Sequence, residues 1–190
     1  MKTMDTMMND DQPLPAEGED EPDSPVFSLT SKGVFDADLI IRDDRWLVIV
    51  DAACRDITTT AIAAALRTAR DNKASGAAEF SILLADDAML AHLNSLHRGK
   101  DGPTNVLSFP DDDGGAIGDI AIAYETVIKE AAAQEKSSRD HLLHLIIHGV
   151  LHLLGHDHLE DGEAMIMEGI EAEILTGLGI ADPYQEGRPV

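Results

Sequence analysis

Apolar residues recur along this chain at two spacings, and the switches between them divide it into elements. Over residues 37–50 they alternate with polar ones and include Ile40, Ile41, Trp46 and Val48. That pattern predicts one or two strand segments, with a bend at Asp43-Asp44. Over residues 58–71 the spacing becomes helical, and Ile62, Ala65, Leu66 and Ala69 fall on one face. Residues 79–85 form a short apolar run, a predicted strand. Asp86 and Asp87 stand where a helix N-cap belongs, ahead of the stripe Met89, Leu90, Leu93, Leu96. Residues 97–103 are a polar loop. Residues 106–109 are a strand ended by Pro110, 111–115 a turn, and 117–123 a second strand. So short a connection predicts an antiparallel hairpin. Residues 124–136 are helical in composition. Ser137 or Ser138 caps a further helix running to about Leu154, and residues 163–175 form a last helix with Met165, Ile166, Ile170 and Ile174 inward. The order predicts an α+β fold, a small mixed sheet with helices packed around one long central helix.

Composition narrows this picture. The chain has 190 residues, enough for a single domain with a real core. Residues 1–30 carry Pro13, Pro15, Pro22 and Pro25 and little to bury, and residues 1–24 hold eight Asp or Glu and one Lys. They read as a disordered acidic leader. Residues 31–185 follow as the domain and 186–190 as a tail. Cys54 is the one cysteine, so no internal disulfide forms and a reducing, cytoplasmic setting is expected. No apolar run approaches the ~20 residues of a membrane helix, and the start lacks a signal peptide's pattern. A net charge of −22 argues against broad adhesion to nucleic acid, including DNA, while leaving room for a local basic site.

The chemistry concentrates at residues 148–158, His-Gly-Val-Leu-His-Leu-Leu-Gly-His-Asp-His. On a helix His148 and His152 project from one face and reach one metal ion. Gly155 tolerates the left-handed conformation that ends a helix, so His158 can return as a third ligand. Three nitrogens leave a fourth position open, as catalytic zinc sites do. His156 competes with His158 for the third place, and the count past the glycine favours His158. The spacing is that of the metzincin peptidases with one change: Gly149 stands where they carry a Glu general base. His141 and His144 continue the same stripe, and His144 either lines the cleft, supports the metal ligands from behind, or stands as a partly exposed polar residue. Asp157 can orient an imidazole or cap the turn. Arg98 and Lys100 form a second constellation, since a guanidinium donates to phosphate in a fork.

These residues resemble a known family. The run from His148 to His158 is similar to the H-G-x-L-H-L-x-G-Y-D-H motif of the YbeY family, bacterial metal-dependent endoribonucleases also called rRNA maturation factors. Leu93-Asn-Ser-Leu-His-Arg-Gly-Lys-Asp-Gly-Pro-Thr-Asn-Val-Leu-Ser-Phe-Pro110 is a second matching block. Gly118-Asp119-Ile120, Leu159-Glu-Asp-Gly-Glu and Asp182-Pro-Tyr184 also fit. The resemblance spans about residues 37 to 185. It implies His148, His152 and His158 as ligands of one zinc ion, and Arg98 with His148 as catalytic residues. Arg98, Lys100 and His144 are then expected to bind substrate. It implies a four-stranded mixed sheet around a central helix. It also implies a role in ribosome maturation and quality control, including the three-prime end of the small-subunit rRNA. His156 and His97 stand where the family usually has Tyr, and the acidic leader has no counterpart in shorter members. The leading expectation is therefore a zinc-dependent endoribonuclease of single-stranded precursor rRNA, with small-subunit ribosomal proteins as further partners. The alternatives are an assembly factor with structural zinc and a metallopeptidase lacking its usual base. General-base candidates are Asp157, His144 and His156.

Overall fold

A computed structural model of the chain describes residues 24–69, 77–111 and 116–185. Most of the expected leader (1–23), the tail 186–190 and most of the 111–115 turn lie outside the described residues. Chain order is β1 (Val26–Ser31), β2 (Phe35–Ile41), a 3-10 helix (Asp44–Val48), α1 (Ala52–Ala69), β3 (Ala78–Ala85) and α2 (Asp87–Arg98). Then come β4 (Val106–Pro110), β5 (Gly118–Ala123), α3 (Tyr124–Ala133), α4 (Ser138–Leu153) and α5 (Asp161–Gly177).

The fold is α+β, and its sheet has five strands rather than four, in the order β1-β2-β3-β5-β4. The extra strand is β1, at the end of the stretch expected as leader. Leu29 stands between Ser28 and Thr30, yet it is buried, and β1 pairs antiparallel with β2. β2, β3 and β5 run parallel, and β4 pairs antiparallel with β5, the hairpin that the short connection predicts. The expected second strand segment at 44–48 is a 3-10 helix instead. Asp43 caps it by accepting from the Arg45 amide, and Trp46 turns inward and donates Nε1–H to the Ala85 carbonyl. α1 begins at Ala52 rather than 58, because Asp51 accepts the Cys54 amide at 2.7 Å and starts the helix early.

The sheet's inner face carries Phe35, Leu39, Phe80, Ile82, Ile120 and Ile122, packed with α1 and α4 into one core. α4 is buried on nearly every side, as a helix apolar all round must be. Ser137 caps it by accepting the Asp140 amide at 3.0 Å. α2 covers part of the outer face through Leu90 against Leu107, Ala121 and Ala123. Asp86 is its N-cap, accepting the Met89 amide at 2.8 Å. α5 turns differently from its expected stripe. Met165 and Ile166 are 75% and 60% exposed, while Met167, Glu171, Ile174 and Leu175 face inward. Among the described residues no helix is long and apolar enough to cross a membrane.

Candidate metal centre

α4 ends where its sequence says it should. Gly155 adopts φ +85°, its amide donates to the His152 carbonyl, and the His156 amide donates to the Leu151 carbonyl. Both bonds together make a Schellman closure, which reverses the chain within two residues. The reversal brings His158 back over the last helical turn. Ring nitrogens of His148, His152 and His158 all lie within 4.8 Å of one another. His148 and His152 are half-buried and His158 is exposed, so the trio opens to solvent on one side.

Hydrogen bonds fix which nitrogens converge. His148 Nδ1 lies 2.8 Å from Glu171 Oε1, and a carboxylate can only accept, so Nδ1 carries the proton. His152 Nδ1 donates in the same way to the His156 carbonyl at 2.9 Å. In neutral rings both Nε2 atoms then hold lone pairs, and these face each other at 3.0 Å. Two opposed lone pairs repel unless a cation lies between them. Tetrahedral zinc with Zn–N bonds of 2.0–2.1 Å would hold two ligand nitrogens about 3.3 Å apart. The donor set therefore fits a metal ion, and its outer partners are those that orient metal-binding imidazoles. Burial, then the neighbouring His148 and His158, push His152 down to about 4, so it stays neutral and able to ligate at physiological pH.

Glu171 is the residue the sequence reading did not single out. Its carboxylate is fully buried and accepts from His148 on one oxygen and from His144 Nε2 (3.1 Å) and the Tyr184 hydroxyl on the other. Burial alone would raise its carboxyl, but the His144 and His148 hydrogen bonds outweigh that and hold it at about 2. Tyr184 is pushed above its ordinary range by burial and by the Glu171 charge, so it remains a donor. A signal was present: Glu171 falls in the helical series Met167, Ile170, Glu171, Ile174, a carboxylate set in an apolar stripe. The need to turn Glu171 toward α4 also explains why α5 presents Met165 and Ile166 outward.

The remaining expected residues divide. His144 lines an open recess of about 270 Å³ beside His148, with Asn105, Val106, Glu130, His141 and Tyr184. Buried His141 is paired to Glu130 at 2.8 Å. His156 is turned away from the trio, its Nε2 lying 3.4 Å from the Ala69 carbonyl. Asp157 accepts the amide of His158 at 2.7 Å and so braces the returning loop. Arg98 sits at the C-terminus of α2 and donates Nη2–H to the Ser108 carbonyl at 3.3 Å. Ser108 Oγ in turn donates to the carbonyl of Gly149, the residue after His148, at 3.4 Å. One residue of β4 thus ties Arg98 to the helix that carries the trio. Lys100 is exposed beyond the left-handed Gly99, and its amide donates to the Asn94 carbonyl at 3.4 Å.

Gly149 has a packing role. A Cβ there would stand 2.9–3.2 Å from three side-chain atoms of Ile120 on β5. The position occupied by the peptidases' glutamate points into the sheet, so a general base placed there would have to displace the core.

The family model described as "Endoribonuclease YbeY" matches residues 43–179. Among curated proteins, the endoribonuclease YbeY of Azorhizobium caulinodans is 47% identical over 153 residues, covering 77% of this chain and 94% of its own. That of Parvibaculum lavamentivorans is 52% identical over 126 residues, covering 59% and 68%. That of Gluconobacter oxydans is 46% identical over 150 residues, covering 79% and 88%. The solution structure of TM1509 from Thermotoga maritima is similar over 80% of this chain and 99% of its own, at 22% identity and a TM-score of 0.45.

Proposed function

Because the chain belongs to the family of the endoribonuclease YbeY, we propose that it cleaves single-stranded RNA with one zinc ion held by His148, His152 and His158. Its proposed substrate is the three-prime end of the immature small-subunit rRNA, within ribosome biogenesis and quality control in the cytoplasm. The observation that supports the metal most directly is the pair of Nε2 atoms 3.0 Å apart, each with its Nδ1 committed elsewhere. When bound, the zinc supplies a Lewis acid for a phosphoryl oxygen or for the attacking water.

The chain's own groups do the rest. Glu171 holds the His148 ring in the tautomer that presents Nε2. Arg98 spends one Nη2 donor on Ser108, and its remaining donors meet the charge that grows on the scissile phosphate. Lys100, exposed past the end of α2, takes a neighbouring phosphate. His144 and the recess beside His148 receive a nucleotide turned out of its stack, which favours single strands over duplex.

Structural zinc is the less favoured reading. Structural sites are closed by four ligands, whereas this trio is three imidazoles with an exposed third. The hydrophobic core, moreover, is built without them. The peptidase reading is disfavoured by Gly149, whose packing on Ile120 leaves no room for the base. The test is metal content beside fold. We expect one zinc per chain by elemental analysis, lost in His148→Ala. Chelation should abolish RNA cleavage while leaving the circular dichroism spectrum folded, and re-added zinc should restore turnover. Unfolding on chelation would instead make the metal structural.

A further inference from the structure

The recess beside His148 has two kinds of lining. Val106, Leu145 and the Tyr184 ring give it apolar surface, while Glu130 and Gln134, at the C-terminal end of α3, give it two polar groups. Glu130 joins three elements. Its Oε2 accepts from His141 Nε2 on α4 at 2.8 Å and from Asn105 Nδ2, just before β4, at 3.0 Å. Burial pushes His141 below its ordinary value, so the ring is neutral and spends its one hydrogen on the carboxylate. A carboxylate oxygen has about two lone pairs, so these two donors fill Oε2. Oε1 accepts from nothing among the described residues, and the Glu130 side chain keeps 32% of its surface exposed. Gln134 lies one helical turn on, its amide donating to the Glu130 carbonyl at 2.9 Å. Its side-chain oxygen accepts from Lys136 Nζ at 2.9 Å, which leaves the Nε2 hydrogens for an occupant. The recess therefore offers a fixed acceptor, Glu130 Oε1, and a donor, Gln134 Nε2.

Such a pair complements an edge that presents a donor beside an acceptor. Cytosine shows its amino group next to N3, guanine its amino group and N1–H next to O6, and adenine its amino group next to N1. Uracil differs. Its one edge donor, N3–H, is flanked by carbonyl oxygens, and a carboxylate repels both. We infer that Glu130, assisted by Gln134, selects the unstacked base in this recess, favouring bases with an exocyclic amino group over uracil. The inference rests on the reading above that the recess takes a nucleotide. Glu130 bonds to His141 and Asn105 rather than to the trio, so base selection and metal binding are separable. The plainer role for Glu130 is to tie α3 to α4 and β4. The two roles differ in what glutamine does at this position. In Glu130→Gln the His141 and Asn105 donors retain the carbonyl oxygen, which leaves the new amide's NH2 where Oε1 was. A donor then faces the recess, and uracil O4 becomes its partner. Loss of a tie alone would change nothing that depends on the base.

Octamers of cytidine and of uridine test it, because the two bases share a shape and differ on that edge. The octamers carry fluorescein and 2′-O-methyl groups that slow cleavage, and their integrity is checked on gels. Anisotropy titrations of the full chain should show the cytidine octamer binding about tenfold more tightly than the uridine octamer, the scale of one well-placed base contact. Glu130→Gln, shown to be folded by circular dichroism, should reverse that order. Glu173→Gln makes the same change of charge at an exposed position on α5 and should leave the order intact. An octamer of 2-pyrimidinone riboside, which is cytidine without its amino group, should lose most of the advantage on the unaltered protein. Equal affinity of wild type for the cytidine and uridine octamers would overturn the inference. So would a Glu130→Gln effect of the same size on both. A preference for cytidine in a chain that cuts no RNA would uphold base selection and defeat the nuclease reading. Cutting with no such preference would do the reverse.

Discussion

Glu171 and Gly149 do opposite work within a few ångströms of His148. Glu171 brings a full negative charge into the core and is stabilised only because two imidazoles and a phenol donate to it. Replacing it with Gln keeps the shape but weakens the acceptor for His148 Nδ1–H. We expect Glu171→Gln to bind zinc roughly 10- to 100-fold more weakly, the usual effect of losing such a partner, read by chelator competition with the fold checked in parallel. Gly149 does its work by having no side chain. Gly149→Ala forces a methyl against Ile120 and should cost about 1–3 kcal/mol in urea unfolding. A neutral result there would mean that Ile120 moves aside freely. His152 adds a pH dependence in the metal-free protein. Its folded value of about 4 lies below its ordinary 6.5, so the unfolded chain binds the proton first. Stability contributed by neutral His152 is complete above about 6.5 and is lost as pH falls toward 4. Thermal melts of chelated protein across that window should show it, and His152→Gln should flatten the slope.

Among the elements, α4 was the most legible and α5 the least. Ser137 or Ser138 marks the start of α4 and Gly155 its end, and the structure has Ser137 as the cap and Gly155 in the left-handed turn. Gly155→Ala should therefore cost about 1–2 kcal/mol for a left-handed alanine and should loosen the return of His158, lowering zinc affinity as well. α5 was misphased because Met165 and Ile166 are apolar, and periodicity assumes that apolar residues face inward. The buried carboxylate of Glu171 sets the phase instead, and an acid in an apolar stripe does not by itself reveal its partners, which are His144 and His148 on α4 and Tyr184 beyond α5. The 3-10 helix at Trp46 was hidden for a related reason. Trp46 and Val48 alternate as a strand would, yet Val48 is 87% exposed and Trp46 fully buried. β1 was lost in the acidic, proline-rich composition that precedes it.

At the scale of the whole molecule, the two sheet faces divide the tasks. The inner face packs against α4 and places three imidazoles at one end of it, while Arg98 comes over from the other side through Ser108. Those long-range meetings, of α2 with β4 and of α5 with α4, are what a sequence read alone can imply only through family likeness. They explain why the histidine trio could be read from spacing while its Glu171 and Tyr184 support could not. The outer face carries Asp36, Asp38, Glu79 and Asp119, on the side of the sheet away from α4 and its three imidazoles. Cleavage should weaken with rising salt if Arg98 and Lys100 meet phosphates, and Lys100→Ala should reduce that salt dependence. The central claim is that the trio and Arg98 act together on RNA. It is tested most directly by cutting a labelled RNA that carries the immature end of the small-subunit transcript. Wild type is run beside His148→Ala and Arg98→Ala, purified alike and shown to be folded. Cleavage by wild type, lost in both variants, is the predicted result. Equal cutting by all three, or by none, would contradict it.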